Sequence, residues 1–203
     1  MSAHHASPNV SGELEQWLGS EGDTSLGSLI EFFGQKSFAL VFVLLLAVPA
    51  LPLPTGGATH VFELVAVLLA LQLIVGRKEI WLPKRWRKLE LAGPKQQRFI
   101  RALIKMIRRL ERCSRPRFQF LFDHRLSNIT FGTLVVGGSV AAFIAPPFTG
   151  LDTLPSLGVV LLSLGVLLED VAIVVLALIA GVVGVALEIF LGTAAVHGVA
   201  SLF

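Results

Sequence analysis

Charged residues and cysteine are both scarce in this sequence. Only 15% of the 203 residues are charged, well below the share that the surface of a soluble domain requires, whereas 54% are hydrophobic and the mean hydropathy is +0.75. The single cysteine, Cys113, excludes an intrachain disulfide and argues against a cysteine-based metal cluster. These deficits exclude a soluble, disulfide-framed domain and indicate an integral membrane protein.

The first residues lack the signals of a secretory leader. Residues 1–17, MSAHHASPNVSGELEQW, contain neither a basic start nor an apolar core, and their polar composition predicts a flexible tail over residues 1–24. Further along, five apolar runs approach the roughly 20 residues of a membrane span, so we expect four to five membrane helices. The runs cover residues 37–53, 58–76, 127–147, 154–168 and 171–191.

Basic residues are absent after Arg125. Sixteen of the 17 Lys and Arg residues lie between Arg77 and Arg125, where only four acidic residues offset them and leave a net charge of +12. Lys and Arg beside a span resist translocation, so a loop with this charge stays on the cytoplasmic side. We therefore predict that residues 77–125 are cytoplasmic. A basic linker, residues 93–125, then separates a first membrane half, residues 25–92, from a second, residues 126–203.

The linker contains one amphipathic stretch, KQQRFIRALIKMIRRLERC. Its apolar residues recur at spacings of three and four, which predicts a helix with one apolar face. Such a helix suits the headgroup boundary of an anionic membrane, with lipid headgroups on its cationic face. The alternative is a helix that packs on its neighbours with a solvated charged face. Nucleic-acid binding is not expected, since it would leave the flanking spans unexplained. The cationic face carries Arg101, Lys105, Arg108 and Arg112.

A second interfacial helix is predicted just before the first span. The stretch SLGSLIEFFG places its apolar residues on one helical face, and Ser25 is a candidate N-cap. We therefore expect interfacial helices at both ends of the first membrane half.

Two apolar runs are broken by proline, in VPALPLPTGG and, about 94 residues later, in FIAPPFTG. Proline ends helices and glycine permits the turn that follows. Residues 37–48 span only about 18 Å as a helix, short of the roughly 30 Å hydrocarbon core. The pattern predicts an all-α membrane protein in two related halves, with the breaks re-entrant or forming an inverted repeat. Ordinary hairpins that turn in water are the alternative. The residues of the breaks are Pro52, Pro54, Thr55 and Gly56, and Pro146, Pro147, Thr149 and Gly150.

Ionisable residues within or beside the apolar runs are candidates for a buried site or pathway, because burying them in a membrane is costly. They could instead lie at the water boundary. No nucleophile with a base, phosphate loop or metal-ligand spacing accompanies them, so we expect neither an enzyme nor a cofactor. These candidates are His60, Glu63, Glu169, Asp170 and Glu188.

The last apolar run carries small residues at spacings of four, among them Ala180 and Gly184. Such a groove lets two membrane helices approach closely, so it predicts a homodimer. Packing against helices of the same chain is the alternative.

A family resemblance rests on the stretches LLLAVPALPLPTGG and LLALQLIVGRKEIWLPKRW, on the basic helix and on the second apolar half. Residues 25–195 resemble the ExoD family of bacterial exopolysaccharide-synthesis membrane proteins. The most specific part is the run with Gln72, Gly76, Arg77, Trp81 and Pro83. The resemblance implies a non-catalytic inner-membrane component that assists or regulates exopolysaccharide production, with exopolysaccharide-assembly proteins as partners. A channel, carrier or lipid transporter, with its pathway at the two breaks, is the alternative.

Overall fold

The computed structural model describes residues 9–20, 24–51, 59–91, 93–114, 125–145 and 150–200, and within these ranges the chain is helical. A single 3-10 turn, Gly34–Lys36, joins the second and third helices, and one isolated bridge pairs Ser25 with Glu90. The helices are α1 (Val10–Gly19), α2 (Leu26–Phe33), α3 (Ser37–Leu46), α4 (His60–Ile74), α5 (Lys84–Arg87), α6 (Pro94–Cys113), α7 (Arg125–Ile144), α8 (Thr153–Leu167) and α9 (Val171–Ala200).

Five of these helices, α3, α4, α7, α8 and α9, coincide with the five apolar runs. Among the described residues, three segments are long and apolar enough to cross a membrane: Leu26–Leu46, Arg125–Ile144 and Val171–Ala194. The first of them joins α2 to α3 through the 3-10 turn, so the expected interfacial helix continues into the span. Its predicted cap is confirmed, since the Ser28 backbone N–H donates to the Ser25 hydroxyl at 3.2 Å. The all-α class is therefore confirmed over the described residues, and three of the described segments could cross a membrane.

Helix α9 turns most of its surface away from the rest of the chain. Only 11% of its most apolar window is buried, and its large exposed side chains are almost all aliphatic or aromatic. An apolar face of this length would be unstable in water and is the surface expected of a helix that faces lipid. The exposed side chains are Val175, Leu176, Leu178, Ile179, Val182, Val183, Leu187, Ile189, Phe190 and Leu191.

Glycines set the close helix contacts of the bundle, in which α8 packs on α9 and α4 packs on α7. A Cβ added at Gly158 of α8 would lie 2.8 Å from the Cα atom of Gly181 in α9, and one added at Gly132 of α7 would lie 3.1 Å from the carbonyl oxygen of Ala70 in α4. Both distances are shorter than ordinary van der Waals contact. Close backbone approach of this kind is how membrane helices associate without a hydrophobic driving force.

The small-residue groove of α9 is used inside the chain. A Cβ added at Gly184 would lie 2.8 Å from the Cβ atom of Leu154 in α8, and Ala177 is buried in the same contact. The homodimer expected from Ala180 and Gly184 therefore does not follow from this groove, because α8 already fills it. The alternative of intrachain packing is the one that the structure has.

The two helical hairpins, α3–α4 and α7–α8, enter the bundle from the same end. One cavity is lined by residues from both ends of each hairpin. Lys36 lies just before α3 and Arg125 lies at the start of α7, whereas Arg77 follows α4 and Glu169 follows α8. The hairpins therefore point in the same direction, which is not the geometry of an inverted repeat. Most of both predicted breaks lies outside the described residues, namely Pro52, Pro54, Thr55, Gly56, Pro146, Pro147 and Thr149. Gly150 is described and has a φ of +69°.

Residues 10–19 do not belong to a flexible tail. They form α1, which packs on α6 with Val10, Leu14 and Trp17 buried. The apolar face of α6 is in turn covered by protein, with Ile100, Leu103, Ile104 and Ile107 all buried. An interfacial helix would leave these side chains to the lipid, so the apolar face of α6 packs on its neighbours, as in the alternative above.

Candidate functional site

The membrane bundle has a polar centre where the start of α4, the end of α7, the start of α8 and the middle of α9 meet. Two contacts set the register of α4 against α7: Gly132 lies against Ala70, and the ring centroids of His60 and Phe143 are 5.2 Å apart. Between these contacts, the antiparallel register brings Glu63 of α4 level with Ser139 of α7. Both side chains are completely buried.

Glu63 is the most buried acid in the described part of the chain. One carboxylate oxygen, Oε2, lies 2.8 Å from Nδ1 of His60, one helical turn earlier, and the His60 side chain is 24% exposed. The other oxygen, Oε1, has no hydrogen-bond partner among the described residues. A buried carboxylate that leaves one oxygen unsatisfied is costly, so this oxygen is a candidate position for a proton or a polar ligand.

Two further acids, Asp152 and Glu188, lie near Glu63. The close contact of Gly184 with Leu154 and Pro155 sets α9 against α8 so that Glu188 lies beside the start of α8, where Asp152 stands. Asp152 acts electrostatically on both Glu63 and Glu188, and Glu63 also acts on Glu188. The hydroxyl of Thr59 is 3.5 Å from Asp152 Oδ2, which connects the residue before α4 with the residue before α8.

Several buried polar atoms at this level have no hydrogen-bond partner among the residues that the structure describes. Besides Glu63 Oε1, they are Glu188 Oε2 and the hydroxyls of Ser139 and Ser156. The contact of Gly138 with Val159 and Pro155 sets α7 against α8 so that the two serines are level with each other. We define the polar centre as Glu63, Asp152, Glu188, His60, Ser139 and Ser156.

When ionised, the carboxylates of Glu63, Asp152 and Glu188 repel one another in this apolar bundle, and binding a proton or a cation relieves that repulsion. Within the described ranges, no group of three or more His, Cys, Asp or Glu side chains is arranged to hold a metal ion. The carboxylates, the imidazole and the hydroxyls are instead suited to passing a proton or binding a small polar solute. Sequence reasoning singled out His60, Glu63 and Glu188, but it missed Ser139 and Ser156, whose only signal is a polar residue on an otherwise apolar stripe.

Glu169 and Asp170 lie at the other end of the bundle. Asp170 is buried, and it caps α9: its Oδ1 accepts from the Ala172 backbone N–H at 2.8 Å, and its Oδ2 accepts from the Ser114 hydroxyl at 2.9 Å. Glu169 has a φ of +54°, an uncommon conformation for a residue with a side chain. The candidate acids thus divide into two sets, and Asp170 has a structural role.

The family-like run forms the exit from α4. The side-chain amide of Gln72 accepts from the Trp81 backbone N–H at 2.8 Å and donates to the Trp81 carbonyl at 3.2 Å. Gly76 has a φ of +90°, which reverses the chain where a Cβ would be strained, and Pro83 caps α5. Arg77 lines the cavity shared by the two hairpins. The run is therefore a folded connection, and Arg77 is its charged residue at this cavity, beside Gly76.

The cationic face of α6 is partly occupied by α1. Arg108 pairs with Glu15 at 2.5 Å, and this hydrogen bond raises the pKa of the Arg108 guanidinium above its ordinary value. Arg101, Lys105 and Arg112 remain exposed and line, with Glu15, a shallow pocket. Contact of this face with lipid headgroups stays a prediction.

The bundle, its exposed apolar helix α9 and its buried polar centre are typical of an integral membrane protein with an internal polar site. A family model described as "Exopolysaccharide synthesis, ExoD" matches residues 10–190, and the chain belongs to this ExoD family. It is 32% identical to the uncharacterized protein slr1875 of Synechocystis sp. over 79% of this chain and 76% of that protein. It is 31% identical to Protein ExoD of Rhizobium meliloti over 72% of this chain and 61% of that protein's length. No solved structure matches the chain.

Proposed function

We propose that this chain is a multi-pass protein of the bacterial inner membrane that assists or regulates exopolysaccharide production without catalysing a reaction. Membership of the ExoD family and the printed name of its relative in Rhizobium meliloti support the link to exopolysaccharide. The net charge of +12 between Arg77 and Arg125 supports a cytoplasmic location for that loop. Proteins of exopolysaccharide assembly are its expected partners.

The polar centre carries the proposal. Glu63 is fully buried with one oxygen unpartnered among the described residues, and such a group in a membrane bundle is a functional candidate by default. An imidazole at 2.8 Å and two nearby acids equip the centre to bind and release a charged or polar species. We infer that exopolysaccharide production depends on this exchange.

Complementation tests this dependence. In a strain that lacks the chain, exopolysaccharide secretion is measured after restoring the wild type, Glu63→Gln or Glu79→Gln. Glu79 is an exposed acid of the connection after α4, so it controls for loss of one negative charge. We expect Glu63→Gln to lose most of the restored secretion at an unchanged membrane protein level, and Glu79→Gln to keep it. Equal secretion from the two variants would contradict the role of the polar centre.

A second function, a carrier or channel, is favoured by the same unpartnered groups and by the helix lengths. Helices α4 and α8 have 15 residues each, about 22 Å, whereas α9 has 30 residues, about 45 Å. The ends of α4 and α8 at the shared cavity would lie at the cytoplasmic face of the membrane. Measured from there, helices of about 22 Å do not reach the far face of a hydrocarbon core that is roughly 30 Å thick. The two proline-rich connections would then lie at membrane depth as re-entrant turns around a pathway.

Two measurements distinguish this function from an assisting role. Purified wild-type protein in proteoliposomes should dissipate a pH gradient or scramble a fluorescent lipid, and Glu63→Gln should not. In a Cys113→Ser background, cysteines placed at Thr55 and Thr149 should resist a membrane-impermeant thiol reagent from both sides. Rapid labelling of both positions, together with absence of flux, would contradict the carrier or channel function and would favour the assisting role.

A further inference from the structure

A cavity of about 640 Å³ opens at the end of the bundle opposite the polar centre. Its walls are the starts of α3 and α7 and the ends of α4 and α8, so both hairpins contribute to it. This volume lies within the usual range of small-ligand sites. Its mouth is at the level where the membrane spans begin, beside the basic loop.

Basic side chains dominate the mouth of this cavity. Lys36, Arg77, Lys78 and Arg125 line it, against one acid, Glu169. None of these four cations forms an ion pair within the described ranges, whereas Arg87 and Arg108 elsewhere in the chain do. Arg125 lies over Gly76, where an added Cβ would be 3.7 Å from Arg125 Nη2. The turn after α4 therefore brings Arg77, in the connection after α4, and Arg125, at the start of α7, to one opening.

The floor of the cavity is apolar. Phe38, Leu73, Phe131 and Leu167 line it, and each is nearly fully buried within the bundle. A cationic mouth above an apolar floor is complementary to an anion that carries a hydrophobic group. Guanidinium groups bind phosphate oxygens in a bidentate fashion, and lysine adds charge.

We propose that this cavity binds a phosphate-bearing anion, with the phosphate at Lys36, Arg77, Lys78 and Arg125 and any attached apolar group on the floor. A phospholipid headgroup at the membrane boundary and a soluble phosphate compound share this chemistry. The site is separate from the polar centre and from the cationic face of α6, and it does not depend on the proposed function.

Binding is measured on the purified full-length protein. For a lipid source, the probe is phosphatidylglycerol doped into nanodiscs of phosphatidylcholine; for a soluble source, it is inorganic pyrophosphate in calorimetry. The test variant is Arg77→Gln with Arg125→Gln, and the matched control is Lys84→Gln with Arg85→Gln, which removes the same charge from exposed positions on α5.

We expect at least one probe to bind wild type and the control, and the test variant to bind it at least tenfold more weakly. Glu169→Gln should bind the anion several-fold more tightly, because it removes the one acid that lines the cavity. Binding of phosphatidylglycerol alone assigns the site to lipid, and binding of pyrophosphate assigns it to a soluble compound. Absence of binding by wild type, or an equal loss in the test variant and the control, would overturn the proposal.

Discussion

Replacing Gly184 with alanine adds one methyl group at one of the tight contacts between α8 and α9. The new Cβ would lie 2.8 Å from Leu154 Cβ and 2.9 Å from the Pro155 backbone nitrogen. Ordinary contacts between carbon atoms are about 3.5–4.0 Å, so α9 has to move away from α8 by about 1 Å. Overpacking of this kind costs about 1–3 kcal/mol, which lowers the folding equilibrium constant by about five- to 150-fold.

Gly181→Ala is the matched control, because it adds the same methyl group one turn away on the same helix. A Cβ at Gly181 meets nothing within 4 Å, so we expect unchanged or slightly higher stability, since alanine is the better helix former. Stability is measured by circular dichroism while SDS is titrated into the protein in mixed micelles. Light scattering should give the same mass for both variants and the wild type.

Equal stability of the two alanine variants would refute this account of the α8–α9 contact. So would a fall in mass for Gly184→Ala with the helical signal intact, because that result would mean that the groove joins two chains. The experiment therefore decides between the intrachain groove of the structure and the dimer that the sequence suggested.

Three other substitutions test contacts outside the α8–α9 pair. Gln72→Ala removes both hydrogen bonds to Trp81, and each lost bond should destabilise the connection after α4 by about 1 kcal/mol. Proteolysis in this connection should therefore be faster in Gln72→Ala, whereas the control variant Gln97→Ala should leave its rate unchanged. Trp17→Ala should release α1 from α6, at a cost of about 3–5 kcal/mol for a buried tryptophan, seen as faster amide exchange over residues 10–19. Asp170→Ala removes the cap of α9 and should cost about 0.5–2 kcal/mol in SDS titration; an unchanged transition would contradict the capping role.

The helices were predictable where a local pattern decides them. Five apolar runs and one amphipathic period locate α3, α4, α6, α7, α8 and α9, since burial in lipid or against a neighbour needs only a continuous apolar surface. Helix α1 was missed although Val10, Leu14 and Trp17 recur at helical spacing. Its polar surroundings hid this signal, and its stability depends on a partner, α6, that is far away in the sequence.

The candidate site was only partly predictable, because it depends on which helices pack together. Sequence patterns identify Glu63 and Glu188 as costly residues in apolar runs, but they cannot tell that Glu188 lies near Asp152 while Asp170 caps a helix at the opposite end. That distinction follows from the register of α8 against α9, which glycines at several positions set. The dimer prediction lost its structural basis for the same reason, because a small-residue groove is chemically identical whether its partner is the same chain or another, and here α8 packs against Gly184.

The length of α9 gives the bundle a means of responding to bilayer thickness. Its apolar segment, Val171–Ala194, is 24 residues or about 36 Å long, so in a hydrocarbon core of about 30 Å it has to tilt or thicken the bilayer around it. Because the contact at Gly184 fastens α9 to α8, tilting carries both helices together. Asp152 and Glu188 then keep their separation while both move relative to Glu63 on α4. A thinner or thicker membrane would therefore change the spacing of the acids across the bundle without disturbing the pair within it.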